Sequence, residues 1–265
     1  MSIAGTGSDP FKPHDLTTPA RNYSSSLVTY DKKLVLSILR EGLYCHIGYY
    51  DQEFKRVRVV PRQYGLDATA LALYLHGPPM IFGGNHSSRL YHAIGSGVED
   101  VCVTVSLVDG LGVGRAAQNG TLHYRSVVIY GKARVVTDDA EVARALNLFA
   151  DHVVAPGYAK YSRPAREGER GSVGVIRIDF EHVSAKVRTG EPRPGTGDDL
   201  ADKWAGSVPI TQVYGPARRA SYIDTEIRVP EFVKDLVRNG RRGLEVPAPS
   251  HPRAADEEHQ DDAPL

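Results

Sequence analysis

A long run of β-forming residues sets the fold class of this chain. It reads YRSVVIYGKARVV at positions 124–136, with the polar side chains of Arg125 and Ser126 at its start and an apolar body. Valine, isoleucine and tyrosine are enriched in strands, so the run predicts one long strand. Two further runs of this kind lie at 100–108 and 172–188. The predicted architecture is therefore a sheet built outward from residues 124–136.

The spacing of the remaining runs predicts how the strands connect. Further strands are predicted at 43–49, 55–64, 70–76 and 112–116, and helices at 30–41, 85–95 and 138–154. Most gaps between strands have the length of hairpin loops, which leaves no room for crossover helices. Residues 110–114, GLGVG, open no helix, so they predict a hairpin with close backbone approach rather than a nucleotide-binding loop. The pattern predicts a mainly β fold with short α-helices, a closed antiparallel barrel, and argues against a parallel doubly wound sheet.

Composition excludes several classes of protein. The 265 residues carry 32 Lys and Arg against 32 Asp and Glu, whereas proteins that bind nucleic-acid backbones need a basic face. No apolar run is long enough for a membrane span, and the polar start of the chain lacks the layout of a secretory signal. We therefore predict a cytoplasmic protein with no nucleic acid or membrane partner. Cys45 and Cys102 have no metal-ligand spacing and are predicted to be buried free thiols.

Composition also divides the chain into four segments. Residues 1–26, rich in Gly, Ser, Thr and Pro, predict a flexible N-terminal arm, and residues 27–215 hold the barrel. Residues 216–245 are predicted to form a C-terminal extension with a short helix, and residues 246–265 a disordered, acidic, proline-rich tail. We assign no chemistry to the tail.

Several polar side chains have the chemistry of a binding site. Residues 86–89, HSSR, stand at the expected start of a helix and combine hydroxyls, backbone N–H groups and a guanidinium that can hold a phosphate. A capping serine beside a solvated arginine gives the same pattern. His46, His76 and His123 lie at or beside strands, where a histidine transfers protons, binds a metal or haem, or packs in the core. Their spacing matches no metal-ligand signature, so no metal site is predicted.

A cationic and aromatic group of residues follows near the end of the barrel segment. It consists of Lys186, Arg188 and Trp204. Such a group is either the rim of a ligand site or a surface and packing feature, and sequence alone favours the latter.

Taken together and in order, a series of modest motifs resembles the flavin-nucleotide-binding proteins of the pyridoxamine 5′-phosphate oxidase-like split-barrel superfamily, which includes the nitroimidazole-resistance reductases. The motifs are Tyr30-Asp31, Cys45-His46-Ile47-Gly48, Leu73-Tyr74-Leu75-His76-Gly77, residues 86–91, residues 101–105 and 107–111, residues 124–131, residues 184–190 and Trp204-Ala205-Gly206. The resemblance covers about residues 30–210, and its strongest motif is YRSVVIYG at 124–131.

The resemblance implies a fold, a cofactor and a set of site residues. The fold is a six-stranded antiparallel split β-barrel of the FMN-binding type with flanking helices, which works as a homodimer with FMN at the interface. The implied FMN-binding residues are Ser87, Ser88 and Arg89 at the phosphate, Arg125, Ser126 and Val127 beside the ring and phosphate, Lys186 and Arg188 near the cofactor edge, and Trp204 in the segment that closes over the partner. The chain departs from the family in an insertion at 77–84 and in the stretch 118–123, where His123 stands in place of Asn.

These features predict an FMN-dependent oxidoreductase that acts on a small molecule by hydride transfer through the flavin. His76 and His123 are the candidates for moving a substrate proton. Three alternatives stay open at this point. The protein is a non-catalytic flavin or haem binder used for sequestration, sensing or transfer; it is a deazaflavin-dependent reductase; or the barrel has lost its cofactor and serves as an interaction or biosynthetic protein.

Overall fold

Antiparallel strands make up most of the regular structure of the protein. The structure is a computed structural model that describes residues 9–18, 27–77, 89–163, 173–192 and 202–240. Its strands are β1 (Val28–Thr29), β2 (Tyr44–Asp51), β3 (Arg56–Gln63), β4 (Gly65–Asp67), β5 (Ala72–Gly77), β6 (Asp100–Val113), β7 (Thr121–Val136), β8 (Gly174–Arg188) and β9 (Gly206–Pro209). Its helices are α1 (Lys32–Glu41), α2 (Arg89–Gly95), α3 (Asp139–Val153), α4 (Tyr158–Tyr161) and α5 (Glu231–Asn239).

The sheet is centred on β7, the strand predicted from residues 124–136. Its order is β3-β2-β6-β7-β8-β5-β4, with β1 added to β8 and β9 added to β6, and every pairing is antiparallel. The two ends of this order, β3 and β4, are joined in the chain by the single residue Tyr64, so the sheet must curl back on itself. Within the described residues, β3 and β4 do not pair with each other, so the sheet is not closed between them. The architecture confirms the prediction of a mainly β, antiparallel split barrel with flanking helices.

The hairpin predicted at residues 110–114 is wrong, because β6 runs through it as one strand. β6 bulges once, between Val108 and Gly110, and continues to Val113 with β7 on one side and β9 on the other. A Cβ on Gly110 would lie 2.8 Å from the backbone oxygen of Val208 in β9. Glycine is therefore needed at position 110 because β9 approaches closely. The close backbone approach agrees with the prediction, whereas the predicted turn is absent from this position.

Two helices cover the sheet through contacts that their sequences anticipate. Asp31 caps α1 by accepting hydrogen bonds from the backbone N–H groups of residues 33 and 34, and Asp138 caps α3 through Glu141. α1 buries Val35, Leu36, Ile38 and Leu39 in the main core. α3 passes so close to β4 that a Cβ on Gly65 would lie 2.6 Å from the backbone nitrogen of Phe149. Glycine is thus needed at position 65 for this helix to reach the sheet.

Part of the predicted flexible N-terminal arm lies against β8. The backbone oxygen of Pro10 accepts a hydrogen bond from the N–H of Val183 at 3.0 Å, and Phe11 packs against the core. The rings of His14 and His182 stack with their centroids 3.6 Å apart. Residues 9–18 therefore belong to the folded body, because the arm supplies an acceptor and an apolar side chain that β8 and the core bind.

Two regions of the molecule expose apolar side chains. On β3, the end strand of the sheet order, Val57 and Val59 are 69% and 63% exposed and alternate with Arg56 and Arg58. Beyond the barrel, residues 202–229 run mostly exposed and lead to α5, which falls inside the segment predicted to hold a short helix. None of the described helices is long and apolar enough to cross a membrane.

Candidate functional site

Arg125 lies near the start of β7, and two carboxylates enclose its guanidinium. Its Nη1 and Nη2 donate to Glu41 Oε2 and Oε1 at 2.6 and 3.0 Å, and its Nε and Nη2 donate to Asp109 Oδ2 and Oδ1 at 2.8 and 2.7 Å. The hydrogen bonds of Asp109 and then Glu41 raise the pKa of the guanidinium against the effect of burial. A guanidinium has five N–H donors, and these pairs use four of them. One N–H therefore remains for a ligand, and the contact of Arg125 with a flavin stays a prediction.

Ser126 and Val127 are neighbours on β7 and point to opposite faces of the sheet. Val127 is completely buried, and its backbone lies in a central strand between Val105 of β6 and Ala185 of β8. Its side chain is part of the core of its own chain, and its place beside the flavin ring stays a prediction. Ser126 pairs directly with Lys186 of β8, and both are half-buried on the outer face.

A polar cleft of about 440 Å³ lies where β7 begins and β8 ends. His123 and Arg188 line it together, with Thr121, Thr189 and Glu191 among the other residues of its wall. Within the described part of the chain, no ion pair involves Arg188. A guanidinium, an imidazole and two hydroxyls form a donor set suited to a phosphate, whereas Glu191 sets a carboxylate beside them. The structure thus brings two predicted site residues into one cleft.

The ring of His123 is positioned by glycines on β6. Gly110 is the direct partner of His123 in the ladder between β6 and β7. A Cβ on Gly110 would lie 3.4 Å from Nδ1 of the ring, and a Cβ on Gly112 would lie 3.4 Å from Nε2. Side chains at these two positions would therefore press on the imidazole and shift it within the cleft.

Trp204 lies at the same end of the barrel as this cleft. Its side chain is 66% exposed, and its ring covers Gly206, where a Cβ would lie 2.5 Å from the indole Cζ2. Gly206 opens β9, which pairs with the part of β6 that faces Thr121. The exposed ring fits a contact with a second subunit or a ligand better than a role in the core of its own chain.

Arg89 lies at the first residue of α2, at the opposite end of the barrel. Its guanidinium stands 4.4 Å from the ring centroid of Phe54, and its Nη1 lies 3.5 Å from Glu53 Oε2 in the turn between β2 and β3. The side chain is 54% exposed, so these contacts are weak and leave it accessible. Ser87 and Ser88, predicted beside it at the phosphate, lie outside the described residues.

His76 is half-buried on β5 at the same end as Arg89. Its ring meets Phe149 of α3 edge to face, with the centroids 4.0 Å apart. Its Nδ1 is buried and has no hydrogen-bond partner among the described residues. Burial lowers the pKa of this imidazole more than a backbone contact with Gly77 raises it, which favours the neutral form.

The predicted residues therefore form two groups rather than one site. Arg188 pairs with Tyr124 of β7. The contacts of Arg89 lie in the turn at the end of β2, and through β6 the end of β2 is level with Lys132 of β7. These two positions of β7 are eight residues apart, or roughly 26 Å at the rise of a strand. His76 lies further along, since its partner Val175 pairs with residue 136 of β7. Within one chain, a single ligand phosphate cannot contact both arginines.

Sequence reasoning missed the carboxylates that define the surroundings of Arg125. Asp109 comes from the β6 bulge and Glu41 from the last turn of α1. Asp109 belongs to a motif quoted for the resemblance, but nothing local in the sequence marks Glu41 as its companion.

In the described residues, no group of three His, Cys, Asp or Glu side chains is arranged to hold a metal ion. Burial raises the pKa of the free thiol of Cys45 to about 12, as fits a core cysteine.

The family profile described as pyridoxamine 5′-phosphate oxidase matches residues 31–187. The chain is similar to the flavocytochrome Anf3 from Azotobacter vinelandii, with 29% identity and a TM-score of 0.72 over 84% of this chain and 96% of that one. It shares its fold with the FAD and haem binding protein from Mycobacterium smegmatis, at 22% identity and a TM-score of 0.71 over 80% and 97% of the two chains. No curated protein sequence matches this chain.

Proposed function

The chain belongs to the pyridoxamine 5′-phosphate oxidase family, and from that membership we propose that it binds the flavin nucleotide FMN. The protein uses this flavin to oxidise or reduce a small molecule. The observation that carries this proposal is the similarity to a flavocytochrome, a protein named for its flavin and haem, over nearly the whole of both chains. The matched region is longer than the family segment at 31–187, so the likeness extends beyond the barrel common to the family.

Two groups of residues in the chain suit the parts of a flavin nucleotide. The cleft of Arg188 and His123 offers cationic and polar donors to a phosphate, and Ser126 and Lys186 lie nearby on the outer face of the same strands. When bound, the flavin would supply the hydride chemistry, while these side chains would hold and orient it. His123 is the side chain best placed to exchange a proton with a substrate in this cleft.

The separation of Arg89 from Arg188 supports a homodimer with the cofactor at its interface. A flavin phosphate could contact both arginines only if each came from a different subunit. The exposed apolar side chains of Tyr44, Val57 and Val59 on the outer face give a second copy a surface to cover. We therefore propose that each flavin lies between Arg188 of one protomer and Arg89 of the other.

The first experiment is to purify the protein and examine its chromophore. The proposal expects the absorption bands of an oxidised flavin, bleached by dithionite and restored by air, and the mass of FMN in the heat-released compound. The mass of FAD or of a deazaflavin would change the cofactor but keep the fold assignment. A colourless protein that also fails to take up added FMN and FAD would contradict the proposal and favour a cofactor-free barrel.

A complementation experiment tests the shared site. Arg89→Gln and Arg188→Gln are expected each to lose flavin, with Arg218→Gln as a charge-matched control on the exposed C-terminal segment. In a heterodimer of the two variants, isolated through two affinity tags, one interface site is intact and the other carries both substitutions. Flavin content near half of the wild-type value is therefore expected. No recovery in the heterodimer would show that both arginines serve the same protomer's site, and full flavin content in either single variant would show that its arginine serves none.

A second candidate function, haem binding in addition to flavin, is favoured by His76. Its buried Nδ1 has no partner among the described residues, and burial keeps the imidazole in the neutral form that binds iron. The flavocytochrome likeness adds support. A Soret band that disappears in His76→Ala, while flavin content and the Soret band of His46→Ala stay at the wild-type level, is the expected result. No haem after reconstitution with hemin would remove this candidate.

A further inference from the structure

A second cleft, separate from both groups of predicted site residues, lies beneath the C-terminal helix. It has a volume of about 630 Å³ and is enclosed by α3, the turn that follows α3, β4 with its following turn, and α5. Its apolar wall includes Leu66, Leu148, Phe232 and Leu236. A cleft of a few hundred Å³ between elements, lined mainly by apolar groups with a few polar ones, has the form of a small-molecule site.

The packing of α5 shows that this cleft is incompletely filled by the protein itself. α5 is amphipathic, with Phe232, Val233, Leu236 and Val237 on one stripe facing the body, yet none of its residues is buried. It is held at its first turn, where the ring of Phe232 meets Tyr161 of α4 at a centroid distance of 5.3 Å. An apolar stripe left half-covered gains free energy when an apolar molecule displaces water beneath it.

The charges around the cleft select the polar end of such a molecule. Asp151 and Asp235 contribute two carboxylates to the lining and Arg40 one guanidinium. Arg238, outside the lining, lies 3.5 Å from Asp235 Oδ1, but both side chains are more than half exposed, so this ion pair is weak and the carboxylates still outnumber the cations in the lining. His152 adds no free donor at Nε2, which is bonded to a backbone oxygen at 2.8 Å. Oδ1 of Asp151 accepts the N–H of residue 159, whereas Oδ2 accepts no hydrogen bond from the described residues and can face a ligand. The ring of Phe232 adds a π-face that attracts cations.

We propose that this cleft binds a small apolar molecule that carries one protonated amine. The apolar body lies between α3 and α5, and the ammonium group pairs with Asp151 and Asp235. This inference does not depend on flavin binding, because the cleft shares no lining residue with the His123 cleft.

A matched pair of probes tests the proposal on the full-length protein. Naphthylmethylamine and naphthylacetic acid share an aromatic body but carry opposite charges near neutral pH, and their binding is followed by titration calorimetry. The amine is expected to bind about tenfold more tightly than the acid, as two carboxylates against one guanidinium imply. Equal affinities, tighter binding of the acid, or no binding of either probe would overturn the proposal.

Variants locate the binding. Leu236→Trp is expected to fill the cleft from α5 and abolish amine binding, and Leu148→Trp is expected to do so from α3. Because no residue of α5 is buried, Leu236→Trp should leave the fold intact, which circular dichroism checks. Asp235→Asn is expected to weaken the amine about threefold, whereas Glu231→Gln, the same charge change on α5 outside the cleft, should leave it unchanged. Unchanged affinity in both tryptophan variants would place the probe elsewhere and contradict the proposal, whatever their flavin content.

Discussion

Arg125 and Arg188 lie on neighbouring strands at the same end of the barrel, and the resemblance assigns both to the cofactor. Their surroundings differ. Arg125 has a side chain only 12% exposed and is fixed by Glu41 and Asp109, whereas Arg188 is exposed and lines a polar cleft. A guanidinium already paired with two carboxylates holds the fold together, and one that faces a cleft can bind an anion. Residue type and strand position are therefore insufficient to identify a ligand contact.

The largest effect is expected from removing the guanidinium of Arg125. Arg125→Met leaves two carboxylates facing each other without a counter-charge, so the free energy of unfolding should fall by about 3 kcal/mol. Urea denaturation followed by circular dichroism measures the change. The triple variant with Glu41→Gln and Asp109→Asn should recover part of this loss. A stability near that of the wild type, combined with loss of flavin, would make Arg125 a ligand contact and erase the contrast with Arg188.

A smaller effect, on binding rather than folding, is expected at the cleft. Arg188→Gln should weaken flavin binding about tenfold, since a charge-assisted hydrogen bond to a phosphate is worth about 1.5–3 kcal/mol. The free energy of unfolding of the flavin-free protein should change by less than about 0.5 kcal/mol, because the side chain is exposed. Fluorescence titration with flavin and urea denaturation measure the two quantities. A large loss of stability with unchanged flavin affinity would make Arg188 a structural arginine, as Arg125 is.

The buried histidine predicts a dependence of stability on pH. Burial lowers the pKa of His76 in the folded state, whereas the unfolded chain has an imidazole of ordinary pKa, about 6.5. As the pH falls, the unfolded state therefore binds the proton first. The stability that the neutral His76 contributes is complete above the ordinary pKa and is lost as the pH falls through the lowered pKa of the folded state. His76→Gln should lose less stability than the wild type between about pH 7 and pH 5. His46→Gln, an exposed control, should follow the wild type; identical curves for all three proteins would show that His76 titrates as in the unfolded chain.

The smallest effect on stability is expected at Arg89. Its side chain and that of Glu53 are both more than half exposed and their charged atoms are 3.5 Å apart, so Arg89→Gln should change the free energy of unfolding by less than about 0.5 kcal/mol. Urea denaturation of the flavin-free protein measures this. Loss of more than about 2 kcal/mol would mean that Arg89 is a structural arginine like Arg125, and its proposed contact with a flavin would lose its basis.

The fold was accessible from the sequence because its signals are local. The strand at 124–136, the capping aspartates Asp31 and Asp138, and the short gaps between strands each depend on neighbouring residues. The continuity of β6 was not accessible, because glycines that admit a neighbouring strand have the same sequence signature as glycines in a turn. The strand responsible, β9, lies almost a hundred residues further along the chain.

The candidate site was accessible only in part, because its determinants are distant in sequence. The partners of Arg125 lie 84 and 16 residues away, and no spacing rule links them to the strand. Val127 matches a family motif because it is apolar, and the structure buries its apolar side chain completely. His123 and Arg188 are far apart in sequence, and they line one cleft because β7 begins and β8 ends there.

The alternation of valine and arginine on β3 bears on the fate of the newly made chain. β3 ends the sheet order, and no described strand pairs with its second edge. Its exposed valines would favour edge-to-edge association with other unfinished molecules, whereas Arg56, Arg58 and Arg62 place repelling charges along the same strand. We therefore expect the arginines of β3 to oppose aggregation during synthesis, so the yield of soluble protein should depend on them more than the stability of the folded barrel does.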